Sequence, residues 1–337
     1  MPSFRRATVA EVLVARPGLQ RVRLDDGDRA YALTQLIGSV EVGDDVIVNT
    51  TAVDLGLGTG GWHVVHWNLR RDEWTDPGRG HIMKLRYTSL QVDTGSATEK
   101  RDTTVTDLGG RPVVVCGVHS QVGIVAAVAR HLRPEARIAY VMTDGAALPL
   151  ALSDLVVELR GCGALDRTVT AGHAFGGDLE AVSIPSALLV AADDDADLIV
   201  VGMGPGVVGT GSRLGNTAVE VASICDTVDA LGGRAVLCLR ASSGDKRPRH
   251  RGVSHHSLTA IELSRSTPAI FVPMSAPPGF DLTGLDGAVV EVPDVASVLD
   301  AAGLRITTMG RDLTQDELFF AAAAAAATGA AGLLDAQ

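Results

Sequence analysis

The sequence predicts an α/β protein, with a doubly wound, mostly parallel sheet and a small N-terminal antiparallel β-barrel domain. After Arg111, apolar runs rich in β-branched residues alternate with longer helical stretches, the pattern of a parallel sheet covered by helices on both faces. Before residue 70, short alternating stretches are separated by turn signals such as Pro17–Gly18, as in a small barrel. The predicted parts of the chain are the barrel over 1–70, a connector with an interdomain strand over 71–110, and the α/β domain over 111–337.

The barrel residues contain five stretches in which apolar and polar residues alternate, as they do in half-buried strands. These stretches are ATVAEVLVA, LQRVRL, RAYALTQL, DDVIVNT and, after the glycine-rich turn DLGLGTGG, WHVVHWNL. A polar segment from Arg70 to Gly80 follows and marks the start of the connector.

The α/β domain contains seven candidate strands, each a nearly continuous apolar run. They are RPVVVCG, RIAYVMT, DRTVTAG, DLIVVGM, RAVLCLR, PAIFVP and GAVVEVP. The stretches between the first five are long enough for crossover helices, one with Pro185 at its first position and one ended by Gly232. The alanine-rich run near the C-terminus predicts a terminal helix and not a membrane span, because alanine gains little from lipid and Thr328 and Gly329 interrupt the run.

Composition and charge exclude several classes of protein. A chain of 337 residues with 46% hydrophobic residues is long and apolar enough to bury a core, which excludes a disordered chain. A net charge of -11 argues against a nucleic-acid partner. No apolar run suited to a signal peptide precedes Glu11, so we expect a cytoplasmic protein without a membrane partner. The sequence leaves the oligomeric state open, a homo-oligomer included. The four cysteines show no metal-ligand spacing; they are Cys116, Cys162, Cys225 and Cys238.

Polar residues follow several of the predicted parallel strands, at the edge where such sheets bind ligands. His119 follows the first strand, Asp144 follows the second, and His173 and Asp178 follow the third. Each residue alone has a structural alternative, because an aspartate can cap the next helix and a lone histidine is usually a loop residue with its hydrogen bonds satisfied. Their convergence on one edge is harder to explain by capping, so we take them as catalytic candidates.

The fourth strand runs into a glycine-rich loop that fits the pattern G-x-G-x-x-G. As a dinucleotide fingerprint the match is weak, because Pro205 stiffens the turn, the next helix starts only near Asn216, and Arg240 stands where an acidic ribose partner is expected. Two interpretations stay open: glycines needed for close packing, or backbone amides that bind a phosphate or another anion. The candidate ligand residues in the loop are Gly204, Gly206, Gly209, Thr210, Gly211 and Ser212.

A basic cluster follows the fifth strand in an otherwise acidic protein. It comprises Arg240, Lys246, Arg247, Arg249, His250 and Arg251. Such a cluster predicts either a lid over an anionic ligand or a solvated surface loop over residues 244–252, and the sequence does not decide between them. Arg240 and Arg251 are the candidate anion-binding residues from this cluster.

Ser254 is predicted to be the N-cap of the next helix, with His255 and His256 in its first turn. The positive end of the helix dipole disfavours imidazolium, so these rings should stay neutral and able to bind a metal or act as a base. Adjacent helical residues point about 100° apart, so we expect one of the two in the site.

Several of these motifs together resemble a bacterial family known as domain of unknown function 3866. The stretches that carry the resemblance are TTAVDLGLGTGGWHVVHWNL, GHIMKLRYTSLQVDTG, VVVCGVHSQV, VMTDGAALPLALSDLV, TVTAGHAFGGDLEAV, VVGMGPGVVGTGSRLG and RGVSHHSLTA. The resemblance implies a shared fold and a shared site, and it implies no activity.

The leading functional hypothesis is an enzyme, a hydrolase or group transferase, that acts on a phosphorylated or nucleotide-like small molecule. The glycine loop and the basic cluster would hold the anion, while His119, Asp144, His173 and either His255 or His256 would supply acid-base chemistry or hold a divalent metal. The cofactor is otherwise unknown. The alternative is a non-catalytic sensor, in which the same pocket binds a ligand without turnover and the barrel responds to it.

Overall fold

The predicted barrel is present as a closed sheet of five strands in the order β1-β2-β3-β5-β4. The strands are β1 (Phe4–Arg16), β2 (Leu19–Leu24), β3 (Arg29–Ala32), β4 (Asp45–Asn49) and β5 (Trp62–Asn68). All neighbouring pairs are antiparallel except β3 and β5, which are parallel. Alternate residues point inward, so that Val46 and Val48 of β4 are buried with Val22 and Leu24 of β2.

The computed structural model describes residues 2–57, 60–100, 104–277 and 285–335. The chain divides into two compact units, Met1–Gly95 and Ser96–Gln337. The first unit extends beyond residue 70 because Leu90 packs against the barrel core. Its other elements are α1 (Thr34–Ile37), α2 (Thr51–Asp54), β6 (Met83–Lys84) and β7 (Val92–Asp93). Gly58 and Thr59 of the predicted glycine-rich turn, and residues 101–103 of the predicted connector, lie outside the described residues.

The second unit contains a parallel sheet of six strands in the order β11-β10-β9-β12-β8-β13, which confirms the predicted α/β class. The strands are β8 (Pro112–Cys116), β9 (Ile138–Thr143), β10 (Arg167–Thr170), β11 (Leu179–Glu180), β12 (Leu198–Met203) and β13 (Arg234–Cys238). The helices before and between them are α3 (Ala97–Lys100), α4 (His119–Leu132), α5 (Asp154–Gly161), α6 (Ile184–Asp193) and α7 (Glu220–Ala230).

Helices cover both faces of this sheet. Val114 and Cys116 of β8 belong to one apolar core, which they share with α4 and α5. Val113 and Val115 belong to the opposite core, which they share with α6 and α7. Because successive strand residues point to opposite faces, a strand buried on both sides must be apolar at every position. This requirement explains the unbroken apolar runs of the sequence.

The last two predicted strands form a separate pair, which meets β13 at the edge of the main sheet through a single bridge between Ala269 and Val236. They are β16 (Phe271–Pro273) and β17 (Ala288–Val290), which are parallel. The remaining elements are β14 (Ala241–Ser242), β15 (Gly252–Val253), α8 (His255–Leu263), α9 (Val295–Ala301) and α10 (Glu317–Leu334). Short 3₁₀ turns lie at Leu150–Leu152, Thr217–Val219 and Pro248–His250.

The C-terminal helix α10 is, in the part of the chain that the structure describes, the one helix long and apolar enough to cross a membrane. Its most apolar window is 67% buried inside the protein, with Phe319 and Phe320 in the core that α4 also lines. This burial accounts for the apolar composition of α10, because a core helix passes the same test of length and hydropathy.

Candidate functional site

Three neighbouring strands, β12, β8 and β13, end at the edge of the sheet where the sequence places the candidate residues. β8 leads through Gly117 into α4 on one face, and β12 leads through the glycine loop toward α7 on the other face. The two connections run in opposite directions along the sheet. This arrangement opens a crevice between the ends of β8 and β12, where α/β proteins bind ligands.

A pocket of about 140 Å³ lies between the glycine loop and the basic cluster. One wall consists of residues 207–209 and Gly211. The other wall carries the side chains of Arg240, Arg247, Arg249, His250 and His256. The structure therefore brings together backbone from one loop and cationic and imidazole groups from another.

The glycines of the loop have different roles. A Cβ at Gly204 would lie 2.8 Å from the Ala147 carbonyl oxygen, so this glycine permits close packing. Gly206 has φ +99° and turns the chain. Gly211 has φ +91°, and a Cβ there would lie 3.5 Å from the Arg249 guanidinium. Of the candidate glycines, Gly209 and Gly211 line the pocket, whereas Gly204 and Gly206 do not.

Thr210 and Ser212 hold the tip of the glycine loop together. The Thr210 backbone N–H donates to the Gly215 carbonyl oxygen at 2.7 Å, and the Gly215 N–H donates to the Ser212 hydroxyl at 3.1 Å. The two hydroxyl groups lie 3.0 Å apart. Both side chains are exposed and do not line the pocket. The loop is thus a small self-bonded hairpin, and α7 begins well beyond its last glycine, at Glu220.

The basic segment, residues 240–251, is held in place by two buried carboxylates. Asp245 accepts two hydrogen bonds from the Arg247 guanidinium, at 2.9 and 2.7 Å. Asp316, fully buried, accepts from the Ser242 hydroxyl at 2.7 Å and from Arg311 Nε at 2.9 Å. These bonds hold the segment at Ser242 and Arg247, and Arg249 and His250, a few residues later, line the pocket. Arg251 is exposed and lies outside the pocket lining.

Arg240 is a buried cation without a carboxylate partner. Its residue is 7% exposed, and it forms no ion pair within the described ranges. Its guanidinium Nη1 donates to Nδ1 of His256 at 3.0 Å. Burial, and next the neighbouring Arg247, lower the pKa of Arg240 to about 10, so the side chain remains charged at neutral pH. Buried charges in proteins are normally paired, whereas the carboxylates of Asp245 and Asp316 act on Arg240 electrostatically without an ion pair to it in the described residues.

Three histidines cluster beside Arg240. Each of His250, His255 and His256 offers a ligand atom, and these atoms lie within 4.8 Å of one another. Ser254 caps α8, as expected, and its hydroxyl also lies 2.7 Å from Nδ1 of His250. Burial, and next Arg240, lower the pKa of His250 to about 4 and that of His256 to about 3. The rings are therefore neutral at pH 7.

The rings of His255 and His256 lie closer together than an angle of about 100° between adjacent helical residues suggests. The ring centroids of His255 and His256 lie 4.4 Å apart, and each lies 4.9 Å from that of His250. Side chains in the first turn lean back toward the helix N-terminus, where the turn that carries His250 meets them. Of the two, His256 lines the pocket.

The other catalytic candidates lie outside this pocket. Nδ1 of His119 lies 3.2 Å from the Met203 carbonyl oxygen, and its Nε2 lies 2.7 Å from the Ser153 hydroxyl. Burial lowers the pKa of His119 to about 4. Asp144 accepts a hydrogen bond from the His173 backbone N–H at 2.9 Å, so these two residues do meet.

Asp178 lies between β10 and β11 in the sequence, at the edge of the sheet opposite β13, and it does not line the pocket. It accepts a hydrogen bond from the Thr168 backbone N–H at 2.9 Å and forms an ion pair with Arg160 at 3.2 Å. These contacts hold the start of β10 in place, so the carboxylate of Asp178 has a structural role.

Two groups near the site lack a clear prediction from the sequence: Glu220, and His250 as an imidazole ligand, since His250 is predicted only as part of the basic cluster. The Glu220 carboxyl accepts from the Thr143 hydroxyl at 2.8 Å, and burial raises its pKa to about 7. Nothing in the sequence marks Glu220, because an acidic residue in a first helical turn is common. His250 had a signal, since it precedes the histidine pair by one short turn in the stretch HRGVSHH.

Comparison with known families gives one match. The family described as "Protein of unknown function (DUF3866)" matches residues 29–327, most of the chain. Among curated proteins, no relative matches. The matched range includes the last three strands of the barrel, the whole parallel sheet, the glycine loop and the three histidines. The chain therefore belongs to the family of proteins of unknown function DUF3866.

Proposed function

We propose that the pocket between the glycine loop and the basic segment binds the charged end of a phosphorylated or nucleotide-like small molecule. The observation that carries this proposal is Arg240, a buried guanidinium with no carboxylate partner in the described part of the chain. Arg249 also forms no ion pair there, and its guanidinium lies against Gly211. A phosphate would compensate both charges through bidentate hydrogen bonds.

The size of the pocket fits a phosphoryl group better than a whole ligand. At about 140 Å³ the pocket is smaller than sites that enclose a drug-sized molecule, which measure roughly 300–1,000 Å³. A phosphate or diphosphate group would fill it, and the rest of the molecule would extend outward. Backbone N–H groups of the glycine loop would add hydrogen bonds without adding charge.

The reaction that this site favours is hydrolysis or group transfer at the bound phosphoryl group. The neutral imidazole of His250 lines the pocket, and with its Nδ1 at the Ser254 hydroxyl, its Nε2 can accept a proton from an attacking water or hydroxyl group. The Nδ1 of His256 accepts from Arg240 instead. The same proposal places the protein in the cytoplasm, because its four cysteines are free, as thiols are in a reducing compartment.

A non-catalytic sensor is the second candidate, and His119 favours it. The ring lies at the crevice between β8 and β12, but both of its nitrogens have hydrogen-bond partners inside the protein. A histidine whose nitrogens are both used in this way supports the fold and is not free to move a proton. In the sensor, the pocket would bind its anion without turnover.

Ligand binding is tested by thermal unfolding of the purified protein with phosphate, diphosphate, AMP and ADP, and with adenosine and ribose as uncharged controls. A ligand at about 100-fold excess over its Kd adds about 2.7 kcal/mol, which raises Tm by about 5–10 °C in a domain of this size. We expect the charged compounds alone to raise Tm. No shift with any of them would contradict the proposal.

The arginines are tested by Arg249→Gln and Arg240→Gln, with Arg305→Gln, an exposed residue outside the pocket, as the matched control. Loss of one charge-assisted contact should weaken phosphate binding about tenfold in each pocket variant. Equal affinity in all four proteins would rule out this pocket. Phosphate release from the best-bound ligand then separates the enzyme, which releases it, from the sensor, which does not.

A further inference from the structure

We infer that His250, His255 and His256 form a three-histidine site for a divalent transition metal such as zinc. The inference goes beyond the proposed function, because the position of the three rings does not depend on an anion. The three ligand atoms lie within 4.8 Å of one another. In a tetrahedral zinc site with Zn–N bonds of 2.0–2.1 Å, nitrogens stand about 3.3 Å apart. Rotation of the side chains about their χ angles would bring the three ligand atoms from within 4.8 Å of one another to this separation.

The type of ligand selects the type of metal. Three imidazole nitrogens suit zinc, cobalt, nickel or copper, whereas magnesium and calcium prefer oxygen ligands. His250 and His256 also line the pocket, so a metal held by the three rings would keep its fourth position open toward that space. Three protein ligands with one open position is the arrangement of catalytic zinc sites and not of structural ones.

His255 offers a nitrogen that lacks any other partner. Its Nε2 is buried and has no hydrogen-bond partner in the described structure. A buried polar atom left without a partner is unfavourable, and a metal ion would supply the partner. His250 is oriented in a compatible way, because Ser254 Oγ can accept a hydrogen bond from Nδ1–H and so leave Nε2 for the metal.

His256 requires one change, which involves Arg240. The Arg240 guanidinium donates to Nδ1 of His256, so in the neutral ring the proton must be on Nε2. To bind a metal through Nε2, the ring must carry its proton on Nδ1, and a guanidinium cannot accept that proton in a hydrogen bond. Arg240 must therefore release the ring when the metal binds. The released guanidinium then becomes available to an anion in the same pocket.

The test uses the full-length protein, treated with a chelator, dialysed and titrated with zinc or cobalt alone. We expect one metal ion per chain, and for cobalt the intense visible absorption of a tetrahedral site. His250→Ala, His255→Ala and His256→Ala should each weaken binding by at least about 100-fold, because loss of a partner that only orients a ligand already costs about 10- to 100-fold. The control His131→Ala changes an exposed histidine in the last turn of α4 and should bind as the unaltered protein does. No binding, or equal binding in all variants, would overturn the site.

Two further variants keep the inference testable if an alanine variant fails to fold. His255→Gln retains most of the side-chain volume at a half-buried position and should still lose the metal. Arg240→Gln replaces the donor by a side chain whose carbonyl oxygen can accept from Nδ1–H of His256. It should bind zinc about tenfold more tightly. An unchanged affinity in Arg240→Gln would contradict ligation by His256. Because these titrations contain no anion, their failure is distinct from failure of the phosphate experiments.

Discussion

Glu220 shows how burial of a single carboxyl group sets a pH dependence. It is the first residue of α7, its carboxyl accepts from Thr143, and Asp144 lies close enough to disfavour a second negative charge. Burial is the largest cause that raises its pKa from 4.5 to about 7. The folded protein therefore binds this proton more tightly than the unfolded chain does, and the free energy of unfolding falls as the pH rises from about 4.5 to about 7.

Glu220→Gln removes this ionisation and retains an acceptor for Thr143. We expect the variant to be more stable than the unaltered protein by about 2–3 kcal/mol at about pH 8, where Glu220 is ionised in both states, and to differ little at about pH 4. Urea unfolding at the two pH values measures the difference. The exposed Glu158→Gln provides the matched control, and it should show no comparable gain at the higher pH. A gain of equal size at both pH values would contradict the assignment to ionisation.

Of the two buried carboxylates that hold the basic segment, residues 240–251, Asp316 lies far away in the sequence. Asp316 accepts from the Ser243 and Gly244 backbone N–H groups at 2.8 and 3.1 Å, in addition to the Ser242 hydroxyl and Arg311. An amide in its place would direct its NH2 group toward some of these donors and leave Arg311 with only its ion pair to Asp245 at 3.5 Å. Breaking a buried ion pair from one side costs about 3–5 kcal/mol.

Asp316→Asn should accordingly lower the free energy of unfolding by about 3 kcal/mol and weaken phosphate binding several-fold. The second effect follows because the segment that positions Arg247 and Arg249 loses its support. Denaturant unfolding and phosphate titration of the same samples measure both effects. Asp300→Asn changes an exposed carboxylate at the end of α9 and is the control. Loss of stability with unchanged phosphate affinity would show that the support does not reach the pocket.

The elements differ in how far the sequence could predict them. Strands such as β8 and β12 were predictable because burial on both faces leaves an unbroken apolar run. The pair β16 and β17 looks the same in sequence, yet only one bridge, at Ala269, links it to β13 of the main sheet, because an apolar run does not specify its neighbour. β11 has two residues, too few for any periodicity. The parallel pairing of β3 with β5 likewise depends on closure of the barrel and not on local pattern.

The candidate site was predictable as a place more than as a set of residues. Strand order and loop chemistry indicated the carboxyl edge of the sheet, and Arg240 and Gly211 lie in the pocket there. The sequence could not show that His256 lines the pocket whereas both nitrogens of His119 have hydrogen-bond partners. Partners such as Ser153 are distant in sequence and are identified only from the folded structure. The burial of Arg240, with no ion pair among the residues that the structure describes, is also visible only in the folded chain.

At the scale of the whole molecule, the charge of the pocket is opposite to that of the chain. The net charge is -11, yet Arg240, Arg247 and Arg249 face one small pocket, where Asp245 compensates Arg247. A positive pocket on a negative protein concentrates small anions and repels large polyanions, since the long-range field remains unfavourable to the latter. The charge distribution therefore favours a small-molecule ligand over nucleic acid.

Every residue that lines the pocket belongs to the second unit, Ser96–Gln337. This unit also has complete apolar cores on both faces of its sheet. We expect a protein made of residues 96–337 to fold alone and to bind phosphate and zinc with affinities within about twofold of the full chain, because no pocket contact is lost. Circular dichroism checks folding, and calorimetric titration of both proteins compares the affinities. A folded fragment that binds neither ligand would show that the barrel contributes to the site, whereas one that binds both would leave the barrel free to serve as the responding part of a sensor.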